Sequence, residues 1–225
     1  MSVTSLSTSN QNYLKAIWSL QEWSDEPVTP TTLAARVGVR LSTASDAVRK
    51  LTDQGYLEHA PYGAVTLTEQ GRAYAVAMVR RHRLIESFLV ESLGYRWDQV
   101  HDEAETLEHA ASDFMIERID ELLGHPERDP HGDPIPRADG TVAKPDAVRL
   151  AELSPGRRGT VERFADDDPE LLQFFAGHGI GVGTVLEVRA GAPYSDAVGL
   201  VFDGREEPLP LGRSATGAVW VTPRP

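Results

Sequence analysis

Residues 29–67 constrain the fold more than any other part of the chain. Two short apolar-periodic stretches sit on either side of a single glycine. Leu33, Ala34 and Val37 form the first stripe, with Thr29 or Thr31 available as a cap and Gly38 as the stop. Ala44, Val48 and Leu51 form the second, with Ser42 or Thr43 as a cap and Gly55 near its end. Residues 56–59 and 64–67 then alternate around Pro61-Tyr62-Gly63, which predicts a small hairpin. Upstream, Tyr13, Leu14, Ile17, Trp18 and Leu20 recur at helical spacing before a break at Asp25-Glu26-Pro27.

Helix, glycine turn, helix and hairpin is the order of a winged helix-turn-helix. The second helix of such a pair offers its N-terminal side chains to bases in the major groove. Those side chains are Ser42, Thr43, Ser45 and Asp46, with Arg49 and Lys50 available for phosphate. Arg40 and Tyr62 are placed to contact the DNA backbone. Serine and threonine read bases weakly, so shape readout shares the work. The same fold can serve protein contacts, but this pattern favours double-stranded DNA.

The overall charge runs against that reading. The 225 residues hold 22 basic and 34 acidic side chains, net −12, and no cysteine. Residues 1–74, however, hold 6 basic and 7 acidic residues, whereas residues 75–140 hold 7 and 15 and five of the seven histidines. The repulsive charge is therefore concentrated outside the DNA-reading segment. Lack of cysteine excludes disulfides, thiolate metal sites and thiol catalysis. No apolar run reaches membrane-spanning length, and the polar N-terminus is not a secretory signal, so a cytoplasmic protein without membrane partners is expected.

The remaining chain falls into two parts. Long amphipathic helices are predicted over about 69–92 and 98–123, ending at Gly94 and Gly124. Residues 125–145 carry five prolines and three aspartates and read as a loop or linker. Short β-like runs at 185–188, 198–202, 209–211 and 218–221, with a short helix over 168–177, suggest a small barrel. The expected domains are 1–74, 75–140 and 141–225, in a chain that is mainly α with a small β portion.

The sharpest chemistry lies between His101 and His109. On one continuous α-helix, His101, Glu105, Glu108 and His109 share a face roughly 100° wide. The preceding helix carries His82 and Glu86 at i,i+4. One such pair is ordinarily a solvated face, whereas two sets on consecutive helices within an acidic region point to a cation. Imidazole, carboxylate and amide donors without thiolate suit Mn²⁺ or Fe²⁺.

The chain resembles the diphtheria toxin repressor family, specifically its manganese-responsive branch. The resemblance rests on Gln11-Asn12-Tyr13-Leu14-Lys15-Ala16-Ile17-Trp18, Arg80-Arg81-His82-Arg83-Leu84, the 100–109 segment and Asp129-Pro130-His131-Gly132-Asp133-Pro134-Ile135-Pro136. It implies a winged helix-turn-helix, a helical dimerisation domain and a C-terminal SH3-like β-barrel. It also implies two metal sites per subunit. The primary set would be Asn12, Glu105, Glu108 and His109. The ancillary set would be His82, Glu86 and His101, completed from the SH3-like domain by Asp166, with Glu162 and Asp167 as alternatives. Glu105 stands where iron-responsive members carry cysteine, and Asn12 where they usually carry methionine, which favours manganese. Lys15 stands where binuclear bacillary regulators carry glutamate, which argues against a paired-metal site.

The resemblance implies a manganese-dependent repressor that binds operator DNA as a homodimer and controls manganese uptake, with no small organic ligand. The alternatives are an iron-dependent repressor of the same fold, a metallohydrolase, and a winged-helix regulator sensing an organic ligand. No His-Glu-x-x-His signature or nucleophile motif supports hydrolysis, so no enzymatic activity is expected.

Overall fold

The computed structural model describes residues 3–59, 63–202, 204 and 207–224. Helices α1 (Thr8–Glu22), α2 (Pro30–Val37) and α3 (Leu41–Asp53) lead into strands β1 (Leu57–His59) and β2 (Val65–Leu67). Helices α4 (Glu69–Leu93), α5 (His101–Leu107) and α6 (Asp113–Leu122) follow. The rest holds β3 (Val148–Arg149), β4 (Arg158–Phe164), α7 (Pro169–Gly177), β5 (Val185–Arg189), β6 (Val198–Phe202), β7 (Leu209–Leu211), α8 (Arg213–Gly217) and β8 (Val219–Arg224). The chain forms two compact units. The first comprises Met1–Ile85, Glu105–Gly124 and Pro136–Val142; the second comprises Glu86–Ala104, His125–Ile135 and Ala143–Pro225.

In the first unit, the helix ends follow the capping residues. Thr29 and Thr32 form a reciprocal capping box on α2, Pro30 occupies its first turn, and Gly38 closes it at φ 71°. Helix α3 begins two or three residues earlier than a Ser42 or Thr43 cap predicts. Its N-cap is Arg40, which makes no side-chain cap bond, so neither Ser42 nor Thr43 caps the helix. Leu14, Ile17, Leu33, Ala44, Leu51 and Val65 are fully buried in one core with Val28, Val48 and Leu57. Burial of each large aliphatic side chain contributes about 1.5–3 kcal/mol before entropy is counted. Strands β1 and β2 pair antiparallel, Leu57 opposite Leu67 and His59 opposite Val65.

The helix expected over 98–123 is broken in two. Helix α5 ends at Leu107, and α6 begins at Asp113 with Ser112 accepting from the Met115 N–H. The buried Arg81 guanidinium takes up carbonyls near the break. It donates to Glu108 O at 3.3 Å and to Ala111 O, and pairs with the Asp113 carboxylate. The apolar stripe runs through the break, so periodicity does not register it. Consequently Glu108 and His109 leave the helix and do not share a helical face with His101.

The second unit is built on a six-stranded antiparallel sheet in the order β3-β8-β4-β5-β6-β7. Strand β4 has no counterpart in the sequence expectations. Its charged Arg158, Glu162 and Arg163 mask the alternation, and its register against β8 shifts between Val161 and Arg163. Phe164, Leu172, Phe175, Leu186, Val188 and Leu200 pack at its core. Asp168 caps α7 by accepting from the Leu171 N–H.

Part of the segment read as a linker is a built loop of this unit. Asp129, His131, Asp133 and Ile135 are buried. The Asp129 carboxylate accepts from the His131 and Asp133 backbone N–H groups, each at 2.9 Å. Phe164 N–H donates to His131 O at 2.9 Å. Gly132 sits at φ 96°, and a Cβ there would lie 2.0 Å from Glu162 O, so only glycine allows this approach to β4. Among the described residues, no helix is long and apolar enough to cross a membrane.

Candidate metal centres and nucleic-acid interface

One cluster of donors lies within the first unit. Helix α1 supplies Lys15, α4 supplies His82, α5 supplies Glu105, and the α5–α6 turn supplies Glu108 and His109. Glu108 is fully buried, with Oε1 2.7 Å from Lys15 Nζ and Oε2 2.7 Å from His82 Nδ1. Lys15 Nζ also lies 2.5 Å from Glu105 Oε1. Burial raises the Glu108 pKa, but the His82 hydrogen bond and the Lys15 charge outweigh it and hold the group below its ordinary value. Ligand atoms of His82, Glu105 and Glu108 lie within 4.8 Å of one another.

Two orientation details fit a cation there. His109 Nδ1 donates to Gln11 Oε1 at 2.7 Å, which leaves Nε2 facing Glu108 Oε1 at 3.6 Å. Gln11 is itself fixed, because its amide N–H groups donate to the Val3 and Leu6 carbonyls at 2.8 and 3.0 Å. The second concerns α1, where Asn12, three residues before Lys15, has a buried Oδ1 with no hydrogen-bond partner. A buried carbonyl acceptor without a donor is costly. A hard cation would satisfy it.

The second cluster lies within the second unit. Glu86 on α4 is fully buried; His101 opens α5, and Asp166 follows β4. His101 Nδ1 lies 3.0 Å from Asp166 Oδ2 and 3.6 Å from Glu86 Oε1. His131 and Asp129 join Glu86 from the buried loop, with ligand atoms of all three within 4.8 Å of one another. His131 stacks on Trp97 and donates from Nε2 to Trp97 O at 2.8 Å. Its Nδ1 makes no hydrogen bond and faces Glu86 Oε2 at 3.8 Å.

Burial disfavours the charged rings of both histidines, but carboxylates overcome it. Asp166 and Glu86 push His101 up to about 10, and Glu86 with Asp129 pushes His131 up to about 10. Burial likewise disfavours the Asp166 carboxylate, but His101 holds its pKa well below the usual carboxylate range. The carboxylates thus favour the protonated, cationic form of both rings.

Glu105, Glu108, His109 and Asn12 lie in the first unit, and His82 contacts Glu108 there. Glu86, His101 and Asp166 lie in the second. Glu162 is engaged elsewhere, by Arg128 at 2.7 Å and Thr222 at 2.7 Å. Sequence reasoning missed three contributors as site residues: Gln11, Asp129 and His131. The histidine surplus of the middle region was the available signal for His131. The proline-rich composition around it concealed the signal.

On α3, Ser42, Thr43, Ser45, Asp46, Arg49 and Lys50 are exposed, as is the preceding Arg40, while Ala44, Val48 and Leu51 face the core. Asp46 Oδ1 accepts from Arg49 Nη2 at 2.9 Å, so these two side chains engage each other in the absence of DNA. Tyr62 lies outside the described residues.

Three family models match in order along the chain. The iron dependent repressor N-terminal DNA binding domain matches residues 5–65, and the iron dependent repressor metal binding and dimerisation domain matches 68–137. The FeoA domain matches 148–223. The iron-dependent repressor IdeR of Mycobacterium leprae is 39% identical over 155 residues, 64% of this chain. The chain spans 65% of that relative's length. The diphtheria toxin repressor of Corynebacterium efficiens is 33% identical over 190 residues, covering 78% of this chain and 80% of the relative. A solved manganese-dependent transcriptional repressor in complex with manganese is 51% identical, covers 96% of this chain and 100% of its own, and superposes with a TM-score of 0.90. By these matches the chain belongs to the diphtheria toxin repressor family of metal-dependent repressors, built from a helical DNA-binding portion, a helical dimerisation portion and an SH3-like β portion.

Proposed function

We propose that this chain is a manganese(II)-activated transcriptional repressor acting as a homodimer on operator DNA. The observation that carries the metal assignment is the first cluster's donor chemistry. It offers the carboxylates of Glu105 and Glu108 and the His109 imidazole, to which this reading adds the unsatisfied Asn12 carbonyl of α1. No sulfur donor is among them, and hard oxygen with some nitrogen suits Mn²⁺. The 51% identical manganese-dependent repressor supports the same reading.

Bound there, a divalent ion would supply positive charge that α1 and the α5–α6 turn can share. Asn12 on α1 would then be tied to Glu105, Glu108 and His109. Helix α1 packs in the core that carries α2 and α3, so fixing α1 fixes the presentation of α3. In the dimer, two α3 helices spaced about 34–36 Å apart would meet successive turns of DNA. The ion can shift this arrangement only by binding it more tightly than the others. At the second cluster, Glu86, His101, His131, Asp129 and Asp166 would form a second cation site.

The test is fluorescence anisotropy on a duplex selected from a randomised library by Mn²⁺-loaded protein. Salt is held constant, since phosphate contacts depend on it. Mn²⁺ is expected to raise affinity at least tenfold above metal-free protein, and Glu108→Gln to abolish that gain. DNA affinity unchanged by Mn²⁺ would refute the proposal. Iron(II) is the second reading, favoured by the iron-dependent mycobacterial relatives. Stronger activation by Fe²⁺ than by Mn²⁺ under anaerobic conditions would establish it.

A further inference from the structure

The most unusual member of the first cluster is a cation supplied by the chain itself. Lys15 lies three residues after Asn12 on α1, on the same helical face. Its side chain is only 12% exposed. Its ammonium contacts Glu105 Oε1 at 2.5 Å and Glu108 Oε1 at 2.7 Å, and lies 3.4 Å from His82 Nδ1. The other Glu108 oxygen is engaged by His82. His109 Nε2 approaches the same Glu108 Oε1 at 3.6 Å. The ammonium therefore occupies oxygens that a metal bound to Glu105, Glu108 and His109 would need.

We propose that Lys15 is a tethered competitor cation that holds the metal-free first site and must be displaced from the Glu105 and Glu108 oxygens before a divalent ion can coordinate there. This rests on the metal assignment made above. Only Glu105 and Glu108 bring formal negative charge to the Asn12, Glu105, Glu108 and His109 donor set, and Lys15 neutralises half of it. Because the competitor is on the same chain, its local concentration does not fall on dilution. A monovalent ion faces the same competitor with half the charge of a divalent one. Lys15 thus sets a threshold concentration and favours divalent over monovalent occupants. Its flexible four-carbon stem lets the ammonium withdraw while α1 stays in place.

The test compares the full-length parent with Lys15→Met, which keeps the stem's bulk and removes the charge. Free Mn²⁺ is followed by electron paramagnetic resonance, and Glu108→Gln identifies the uptake step that belongs to the first site. Lys15→Met is expected to bind Mn²⁺ at least about tenfold tighter at that step, because a unit charge within 3 Å of a carboxylate is a strong interaction even when partly screened. Its metal-free melting temperature should fall and its Mn²⁺-loaded one hold, widening the gap between them. Lys15→Arg, which keeps the charge, should bind no more tightly than the parent. Should Lys15→Met not fold without metal, Lys15→Gln is measured in its place under the same criterion. Unchanged or weaker Mn²⁺ binding in the neutral variant would overturn the proposal while leaving the metal site standing. Absence of a Glu108-dependent uptake step in the parent would remove the site itself, and the competitor with it.

Discussion

Replacing Arg81 by methionine tests whether the break between α5 and α6 builds the first metal site. Arg81 is 3% exposed, and its guanidinium bonds Glu108 O, Ala111 O and the Asp113 carboxylate. Methionine fills much of the volume, so little cavity penalty is expected. What is lost is hydrogen bonding. A bond from a charged donor contributes about 1.5–3 kcal/mol, and a buried carbonyl left without a donor costs about 1–3 kcal/mol. The Glu108 bond is long at 3.3 Å, and the Asp113 side chain is 52% exposed, so that ion pair adds less than about 1 kcal/mol. The expected destabilisation is about 3 kcal/mol, on the order of a 100-fold shift in the unfolding equilibrium. Urea unfolding of the metal-free protein measures it. Mn²⁺ affinity should fall about 10–100-fold as well, as it does when partners that orient ligands are removed. Arg118→Met is the control. That side chain pairs with Glu121 on the exposed face of α6, and its loss should cost less than about 0.5 kcal/mol. An Arg81→Met protein within 1 kcal/mol of the parent, with parental Mn²⁺ affinity, would refute the link between the break and the site.

His131→Gln should weaken metal uptake at the second cluster about 10–100-fold without weakening the first; the visible spectrum of bound Co²⁺ separates the two, and an unaltered spectrum and affinity would exclude His131 as a ligand. His101 and His131 have pKa values raised to about 10 in the folded metal-free protein, against about 6.5 unfolded. Their stabilising contribution is full below about pH 6.5 and is lost as the pH rises through about 10, so the metal-free melting temperature should fall between pH 7 and 10. Metal binding at this cluster should correspondingly release protons near pH 7, measured by calorimetry in two buffers of different ionisation enthalpy, and equal heats in both would contradict the assignment. Lys50→Ala should weaken DNA binding uniformly across sequences and reduce the salt-dependence slope by about 1; a sequence-selective loss would place Lys50 at a base instead.

Much of the first unit was legible because its signals are local. Thr29, Pro30 and Gly38 bound α2, and the 3.6-residue spacing of Ala44, Val48 and Leu51 orients α3 so that Ser42, Ser45 and Lys50 face outward. Local signals failed at the α5–α6 break. Ser112 caps α6 within that window, but the Glu108 and Ala111 carbonyls are bonded by Arg81, 27 residues before Glu108, which no window around residues 98–123 contains. They failed again at 125–135, where Asp129 holds its own loop and Gly132 permits contact with β4. Composition alone cannot distinguish a buried loop satisfied by its own side chains from a solvated linker.

The sequence by itself determined which atoms are available: carboxylate, imidazole and amide without thiolate, in a region whose acidic surplus and histidines call for positive charge. The type of each donor is written in its residue, so the hard-metal preference needed no fold. Only the tertiary structure decided how those donors are grouped. Helical geometry placed His101, Glu105, Glu108 and His109 on one face, whereas the broken helix puts Glu108 with Lys15 and His82 and leaves His101 with Glu86 and Asp166. The physical reason is that a helix end is set by whichever groups satisfy its unpaired carbonyls, and here a major one comes from a distant helix. The same dependence on folding brought Lys15 onto the oxygens a metal would need, a contact between residues 90 and 93 positions apart.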